Sequence, residues 1–381
     1  MPLPPRQAAM DCCIGLMSGT SLDGVDGVLA AFAAGPEAST PQVLAHAHAG
    51  FDPALRAELF ALNTPGPDEL HRAALATNRL VRTCASVVQA LLAQTGLPAS
   101  GVVDIGAHGQ TVRHRPGAFD DAGYTLQLNN PSMLAELTGI DVIADFRSRD
   151  VAAGGQGAPL APLFHQAFFS GLTGEASVLN IGGISNLTLL SPDGSVSGFD
   201  CGPGNALMDL WCAQHKEEPF DRDGAWAAGG RVHRPLLSAM LDHGYFRRPP
   251  PKSTGRDLFN RTWLEAHLAR FPGINAQDVQ STLAELTASA CALSLREHGP
   301  SSTRLLVCGG GALNVHLMAR LAALLPGVRV ESTSAEGLPP LQVEALAFAW
   351  LACRCVRREP LDLHKTTGAR GARVLGGLFP R

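Results

Sequence analysis

Apolar positions recur along this chain with two periods. Short unbroken apolar runs mark strands and three-to-four spacing marks helices. Two strand-like runs break into small-residue turns: Cys13-Ile14-Gly15-Leu16-Met17-Ser18-Gly19-Thr20-Ser21 near the start, and Val178-Leu179-Asn180-Ile181-Gly182-Gly183-Ile184-Ser185-Asn186 near the middle. After the first turn, residues 24–32 continue as a strand and 34–41 form the next turn. Helical spacing covers 53–63 and 67–94. Residues 102–106 form a short strand ending at Ala107-His108-Gly109-Gln110-Thr111, and 124–128 another strand. Residues 132–138 form a helix capped by Gly139. From residue 176 the opening plan returns: a strand, a small-residue turn, a strand to 190, a turn at 191–194, a strand over 196–199 and a helix over 206–214. The echo of residues 12–60 is one of pattern, with low identity between the halves.

A third glycine cluster, Gly309-Gly310-Gly311, ends a buried-type strand at 305–308. A helix over 314–325 follows, with Val315, Met318, Leu321, Leu324 and Leu325 on one face and Pro326 as its stop. Residues 345–356 form an apolar helix preceded by Glu344 and interrupted by Arg354, too short and too charged to span a bilayer. Strands alternating with helices indicate an α/β protein. Residues 145–159, rich in hydrogen-bonding groups, are the candidate linker between two lobes.

Turns without bulky side chains let backbone N–H groups approach a polyanion, and two facing turns would clasp phosphates from both sides. Each turn alone is equally a structural hairpin. Asp200, at a strand end before a helix, stands where catalytic carboxylates of open α/β sheets collect, and the same position suits a helix cap. Asp23 and Asp26 suit Mg²⁺, directly or through water, and strand alternation does not choose between them. His108, Gln110 and Thr111 suit a polyhydroxyl ligand, and Arg147 and Arg149 a carboxylate or phosphate. Glu344 suits either a helix cap or a bound sugar. His114 reads as surface, and Asp209 as a solvated residue or a partner of a site group. Lys252-Ser253-Thr254-Gly255 is not a phosphate loop, because Pro249-Pro250-Pro251 precede it where glycines are needed.

Composition narrows the partner. With 45% apolar and 17% charged residues the 381-residue chain is globular and long enough for two cores. A net charge of -4 without a basic run argues against nucleic acid or an anionic membrane, and for a small molecule. Residues 1–6 lack the apolar core of a secretory signal and read as a frayed extension of a cytoplasmic protein. Nine cysteines without paired C-x-x-C spacing argue against a structural zinc or a disulfide framework, and for small reduced core residues.

The run Gly15-Leu16-Met17-Ser18-Gly19-Thr20-Ser21-Leu22-Asp23-Gly24-Val25-Asp26 resembles the opening motif of anhydro-N-acetylmuramic acid kinases. The likeness continues through His108-Gly109-Gln110-Thr111, Asp145-Phe146-Arg147, Gly154-Gly155-Gln156-Gly157, Asn180-Ile181-Gly182-Gly183, Gly198-Phe199-Asp200-Cys201-Gly202-Pro203-Gly204-Asn205, Pro251-Lys252-Ser253-Thr254-Gly255-Arg256, Gly309-Gly310-Gly311-Ala312 and Val343-Glu344-Ala345. Cys201 stands where the family usually has threonine, Asn129 where glycine is common and Leu313 where arginine is frequent.

The resemblance implies two ribonuclease-H-like lobes of the actin-like ATPase fold around an interlobe ATP cleft. The N-terminal lobe is expected over 11–150, completed by 361–381, and the C-terminal lobe over 151–360. It implies an ATP- and Mg²⁺-dependent kinase that hydrolytically opens 1,6-anhydro-N-acetylmuramic acid and phosphorylates O6 during peptidoglycan recycling, and a cytoplasmic homodimer. Asp200 is the implied catalytic base. The ATP site is expected at Gly19 to Asp26 with Gly182, Gly183, Gly202 and Gly309 to Gly311; the substrate is expected at His108, Gln110, Thr111, Arg147, Arg149 and Glu344. A plain hexose or amino-sugar kinase and a nucleotide-regulated binding module are the competing readings of the same scaffold.

Overall fold

The computed structural model describes residues 10–33, 41–172 and 176–381. The expected N-terminal extension and most of the turn at 34–41 lie outside the described residues. In the first sheet β1 (Met10–Ser18), β2 (Gly24–Ala33) and β3 (Gln42–Gly50) form an antiparallel meander. On the other side of β1, β4 (Asp104–Pro116) and then β6 (Val142–Ala144) add in parallel. β5 (Gly123–Leu128) folds back on the outer half of β4.

The second sheet repeats this plan: β7 (Ala176–Ile181), β8 (Ile184–Leu190) and β9 (Val196–Pro203) are the meander, and β10 (Arg304–Cys308) and β11 (Arg329–Ser332) add in parallel. The spatial orders β6-β4-β1-β2-β3 and β11-β10-β7-β8-β9 are the same order read twice. The chain is thus two α/β lobes of ribonuclease-H-like topology. β12 (Gly377–Phe379) pairs antiparallel with β6, so the chain's end returns to the first sheet.

Each sheet carries an outer apolar layer. Ile14, Leu16, Val25 and Leu29 meet Leu80, Val81, Val88 and Leu91 of the Glu69–Thr95 helix. On the second sheet Leu179, Ile181, Leu187 and Leu305 meet Leu283, Leu286 and Leu317. Between the sheets the lobes exchange helices. Ala161–Phe168 follows the linker and lies on β8 and β9, whereas Val343–Val356 follows the last strand of the second sheet yet lies on β1, β2 and β4. The two helices meet where Phe164 stands edge-on to Trp350, centroids 6.3 Å apart. The Val343–Val356 helix falls within the span expected for the second lobe, 151–360, and packs on the first sheet.

This packing has a local cause. Gly15 and Gly106 are register partners on β1 and β4. A Cβ at Gly15 would lie 1.8 Å from the Ala345 carbonyl oxygen, and one at Gly106 2.1 Å from that of Phe348. The helix presents Ala345, Ala349 and Ala352 to the sheet. Strand and helix backbones therefore touch directly.

Other differences are local. β4 runs through residues 107–116, so His108, Gln110 and Thr111 are strand residues and not loop residues. The reason is that β1 pairs with β4 as far as Gln110 and β5 pairs with it at Gln110↔Leu128 and Thr111↔Gln127. The linker contains a short helix, Ser148–Ala152. In the Val315–Leu324 helix the buried face is Leu317 and Leu321, continued by Leu325, while Val315 is 66% exposed. Asn314 caps that helix by accepting from the Leu317 N–H at 2.9 Å. Among the described residues no helix is long and apolar enough to cross a membrane.

Valine at Gly106 must push the helix off the sheet. Overpacking of this kind costs about 1–3 kcal/mol and occasionally more. Gly106→Val is expected to lower the urea midpoint at unchanged slope, by that free energy divided by the slope, and an unchanged midpoint contradicts the close seating.

Candidate active site

The two small-residue turns face each other. A Cβ on Gly183 would lie 2.3 Å from the Thr20 side-chain hydroxyl oxygen, so the turn after β7 meets the turn after β1 with no room for a side chain. Gln110 holds the first turn. It accepts a short bond from the Ser18 hydroxyl and donates to the Gly19 carbonyl at 3.1 Å. The second turn is anchored by Gly204 N–H and Ala206 N–H donating to the Gly183 carbonyl at 2.9 and 3.1 Å, and Asn205 N–H to that of Gly182 at 2.8 Å. Arg256, from the loop before the Arg261–Leu268 helix, crosses between lobes to donate to the Thr20 carbonyl.

Beside the paired turns lies a cavity of about 180 Å³, lined by both lobes. Asp200, 6% exposed, reaches it from β9. One of its carboxylate oxygens accepts the Thr254 N–H at 2.9 Å, and its carbonyl accepts the Tyr245 hydroxyl at 2.8 Å. Burial pushes its pKa up to about 7, against the opposing pull of that N–H and of the Arg147 and Lys252 charges. Glu344, from the start of the exchanged helix, is also pushed up to about 7 by burial, with Arg147 pulling down and Asp26 pushing up. Two carboxylates near neutrality in one cavity are suited to proton transfer at ordinary pH.

Arg147 completes the charge set. Its Nε donates to His108 Nε2 at 3.0 Å and its Nη1 to the Gly157 carbonyl at 2.6 Å. Burial pulls its pKa down, while Asp200, Glu344 and Asp150 hold it charged. His108 is buried, its ring 4.7 Å from that of Phe348, and its pKa is driven well below the usual value by burial and by Arg147. It is therefore a neutral acceptor that aims Arg147, with the proton on Nδ1.

Not every expected residue meets the cavity. Asp200, Arg147, Glu344, His108, Gln110, Thr111, Gly19, Thr20, Ser21, Leu22, Gly182 and Gly183 line it. Arg149 is exposed on the short linker helix and is absent from the lining. The Leu22 side chain packs with Leu55, Leu59 and Leu62, Val25 is in the first core, and Gly24 approaches the Ala49 carbonyl inside the sheet. Gly202 faces Phe246, and Cys201 lies in the second core. Asp26 accepts from His48 Nδ1 at 3.0 Å; burial would raise its pKa, but bonding to His46 and His48 prevails and lowers it. Asp23 is exposed at the turn and accepts the Ser21 hydroxyl at 2.9 Å. The third turn sits beside the second: a Cβ on Gly309, whose φ is 75°, would lie 2.4 Å from Asn180 Oδ1, and one on Gly311 2.4 Å from Ile181.

In and around the cavity stand further residues that the sequence analysis did not place in the site. His114 is half-buried and not a surface decoration; it bonds Thr125 at 3.0 Å and, across the lobes, Ser253 at 3.4 Å, because β5 and the 249–256 loop close over it. Ser253 in turn donates to Gln156 at 3.1 Å. Burial, with Arg147, lowers the His114 pKa to about 4. Thr254 keeps a buried hydroxyl with no partner among the described residues. Asp209 lies under Arg256, its pKa raised to about 7 by burial against the Arg256 charge. The signal for Ser253, Thr254 and Arg256 was a polar run in a proline-bounded loop, which a test for a phosphate loop alone discards.

The chain matches the description of the anhydro-N-acetylmuramic acid kinase family over residues 11–381. A protein of that name from Variovorax paradoxus is 62% identical over 372 residues, 96% of this chain and 98% of that protein. One from Albidiferax ferrireducens is 58% identical over 390 residues, 97% of this chain and 99% of that protein. One from Cupriavidus metallidurans is 53% identical over the whole of both chains, 386 aligned residues. The two-lobed chain with Asp200 in the cavity beside its facing turns belongs to the anhydro-N-acetylmuramic acid kinase family.

Proposed function

We propose that this kinase opens 1,6-anhydro-N-acetylmuramic acid with water and phosphorylates its O6 from ATP. The observation that carries the reading is Asp200, a buried carboxylate near neutrality, beside two turns that meet without side chains. In the anhydro sugar O6 is bonded to C1, so there is no free hydroxyl to phosphorylate. Asp200 takes a proton from a water whose oxygen bonds to C1. The C1–O6 bond breaks, O6 bonds to the γ-phosphorus, and the bond from that phosphorus to the bridging oxygen breaks to release ADP. Attack opposite the leaving oxygen inverts C1.

The ATP phosphates are assigned to the backbone of Gly19 to Ser21 and of Gly182 and Gly183, supported by the lack of side chains where those turns meet. The adenosine is assigned to Gly309 to Gly311, supported by their packing on the root of the second turn. Mg²⁺ would supply neutralisation of phosphate charge. Asp23 fits it through water, being exposed with one oxygen bonded to Ser21, whereas Asp26 is committed to histidine. The homodimer is what the family resemblance implies, and neither it nor the cytoplasmic location carries a step of the reaction.

In water enriched in heavy oxygen, initial product is expected to carry one label at C1 per ADP released, after correction for anomeric exchange. Asp200→Asn keeps the shape and removes the base, and is expected to cost about 10²–10⁴ in kcat. Since the base must be ionised, wild-type kcat should fall as pH drops through about 7, the value to which burial raises this acid. Unlabelled product would point to a plain hexose kinase, and near wild-type turnover in the variant would remove Asp200 from the reaction.

Arg147 is assigned to the lactyl carboxylate, a charge that ordinary hexoses lack, because it is the arginine of the linker pair that lines the cavity. A charged hydrogen bond is worth about 1.5–3 kcal/mol, so Arg147→Ala should cost about ten- to a hundredfold in kcat/KM on the native sugar. The loss should shrink on an analogue with that carboxylate amidated, and Arg149→Ala should change little. Equal losses on both sugars contradict the contact.

A further inference from the structure

Outside the cavity's lining, three metal-ligating side chains converge inside the layer where the exchanged helix meets the first sheet. Cys13 comes from β1, Asp104 from the start of β4 and Cys353 from the last turns of the Val343–Val356 helix. Their donor atoms all lie within 4.8 Å of one another. The two sulfurs are 3.0 Å apart although their residues are 340 positions apart in the chain, and the Cys13 thiol donates to Asp104 Oδ2 at 3.6 Å. Asp104 and Cys13 are 0% exposed and Cys353 4%.

Asp104 supplies the second observation. Its other oxygen, Oδ1, is buried and has no hydrogen-bond partner among the described residues. An orphaned buried acceptor costs roughly 1–3 kcal/mol, and a cation is one way to satisfy it. No arginine or lysine bonds it: Arg357, the nearby cation, is bonded to Asp11 and the Ala33 carbonyl. A small hollow lined by Phe32, Phe164, Trp350, Cys353, Arg354 and Arg357 lies beside Cys353 and is the route by which an ion would reach it.

We propose that Cys13, Asp104 and Cys353 bind one divalent cation of the zinc class. Two thiolates and a carboxylate are a borderline-soft donor set; around a tetrahedral ion with bonds of about 2.0–2.3 Å the donors stand roughly 3.5–3.8 Å apart, so the Cys13–Asp104 separation of 3.6 Å fits and the two sulfurs, now 3.0 Å apart, move apart by somewhat under ~1 Å on binding. On binding, each thiol gives its proton to solvent and forms a metal–sulfur bond, the Asp104 carboxylate forms a metal–oxygen bond, and water from the hollow takes the fourth position. No electrons move. The ion would staple β1 and β4 to the helix that carries Glu344 nine residues away, at its opposite end. Cysteine spacing conceals such a site, because its ligands come from three separate segments.

The test is cobalt(II) titration of the full-length protein, stripped with a chelator and kept reduced. Wild type is expected to take up one equivalent with intense thiolate-to-cobalt absorption, displaced by zinc, and zinc is expected to raise its melting temperature. Cys353→Ala, at a helical position that favours alanine, should lose the band and the melting shift. Asp104→Asn should keep sulfur absorption but bind about 10- to 100-fold more weakly. Cys355→Ala, altering the neighbouring thiol on the same helix, should change neither. No uptake by reduced wild type overturns the proposal. So does a band of equal strength in Cys353→Ala, or one lost in Cys355→Ala alone.

Discussion

Thr20 lies against Gly183 only because position 183 has no Cβ, and this contact is the constraint on which the rest of the architecture depends. Each turn is the first of its lobe, at the end of the strand around which that lobe's sheet is built. Bringing those ends together requires the lobes to face each other with related polarity, which the repeated strand order provides. The exchanged helices then set how far apart the sheets stand. Gly15 and Gly106 let one helix press its backbone onto the first sheet, and that helix delivers Glu344 to the cavity.

The chemistry follows from burial more than from any single ion pair. Asp200 and Glu344 are both raised toward neutrality by loss of water, and Arg147 keeps either from being raised further. Arg147 is itself held by His108, a histidine kept neutral by the same burial. A carboxylate left in water would sit near its ordinary pKa of about 4 and be a weak base. Enclosure between two lobes therefore does for Asp200 what a neighbouring negative charge does in other sites.

Much of this was legible in the sequence because it is locally encoded. The paired turns were visible as glycine, serine and threonine after apolar runs, and Asp200 as a carboxylate between a strand and a helix. What escaped was contact between distant segments. His114 bonds Ser253, 139 positions away, and nothing in the periodicity of either segment reports it. The Val343–Val356 helix was legible as a buried helix, but not as one that crosses to the other lobe, since apolarity says that a face is covered and not by what. Continuation of β4 past Gly106 was hidden by polar His108, Gln110 and Thr111, which read as a loop until β1 and β5 supply the pairing of that stretch.

The central claim is that the two facing turns hold the transferred phosphate while Asp200 addresses C1. A crystal structure with a non-hydrolysable ATP analogue and the anhydro sugar tests it most directly. The terminal phosphates should lie against the backbone of Gly19 to Ser21 and of Gly182 and Gly183, with a water between Asp200 and C1 on the face opposite O6. Phosphates bound away from those turns, or a sugar whose C1 is turned from Asp200, would contradict it.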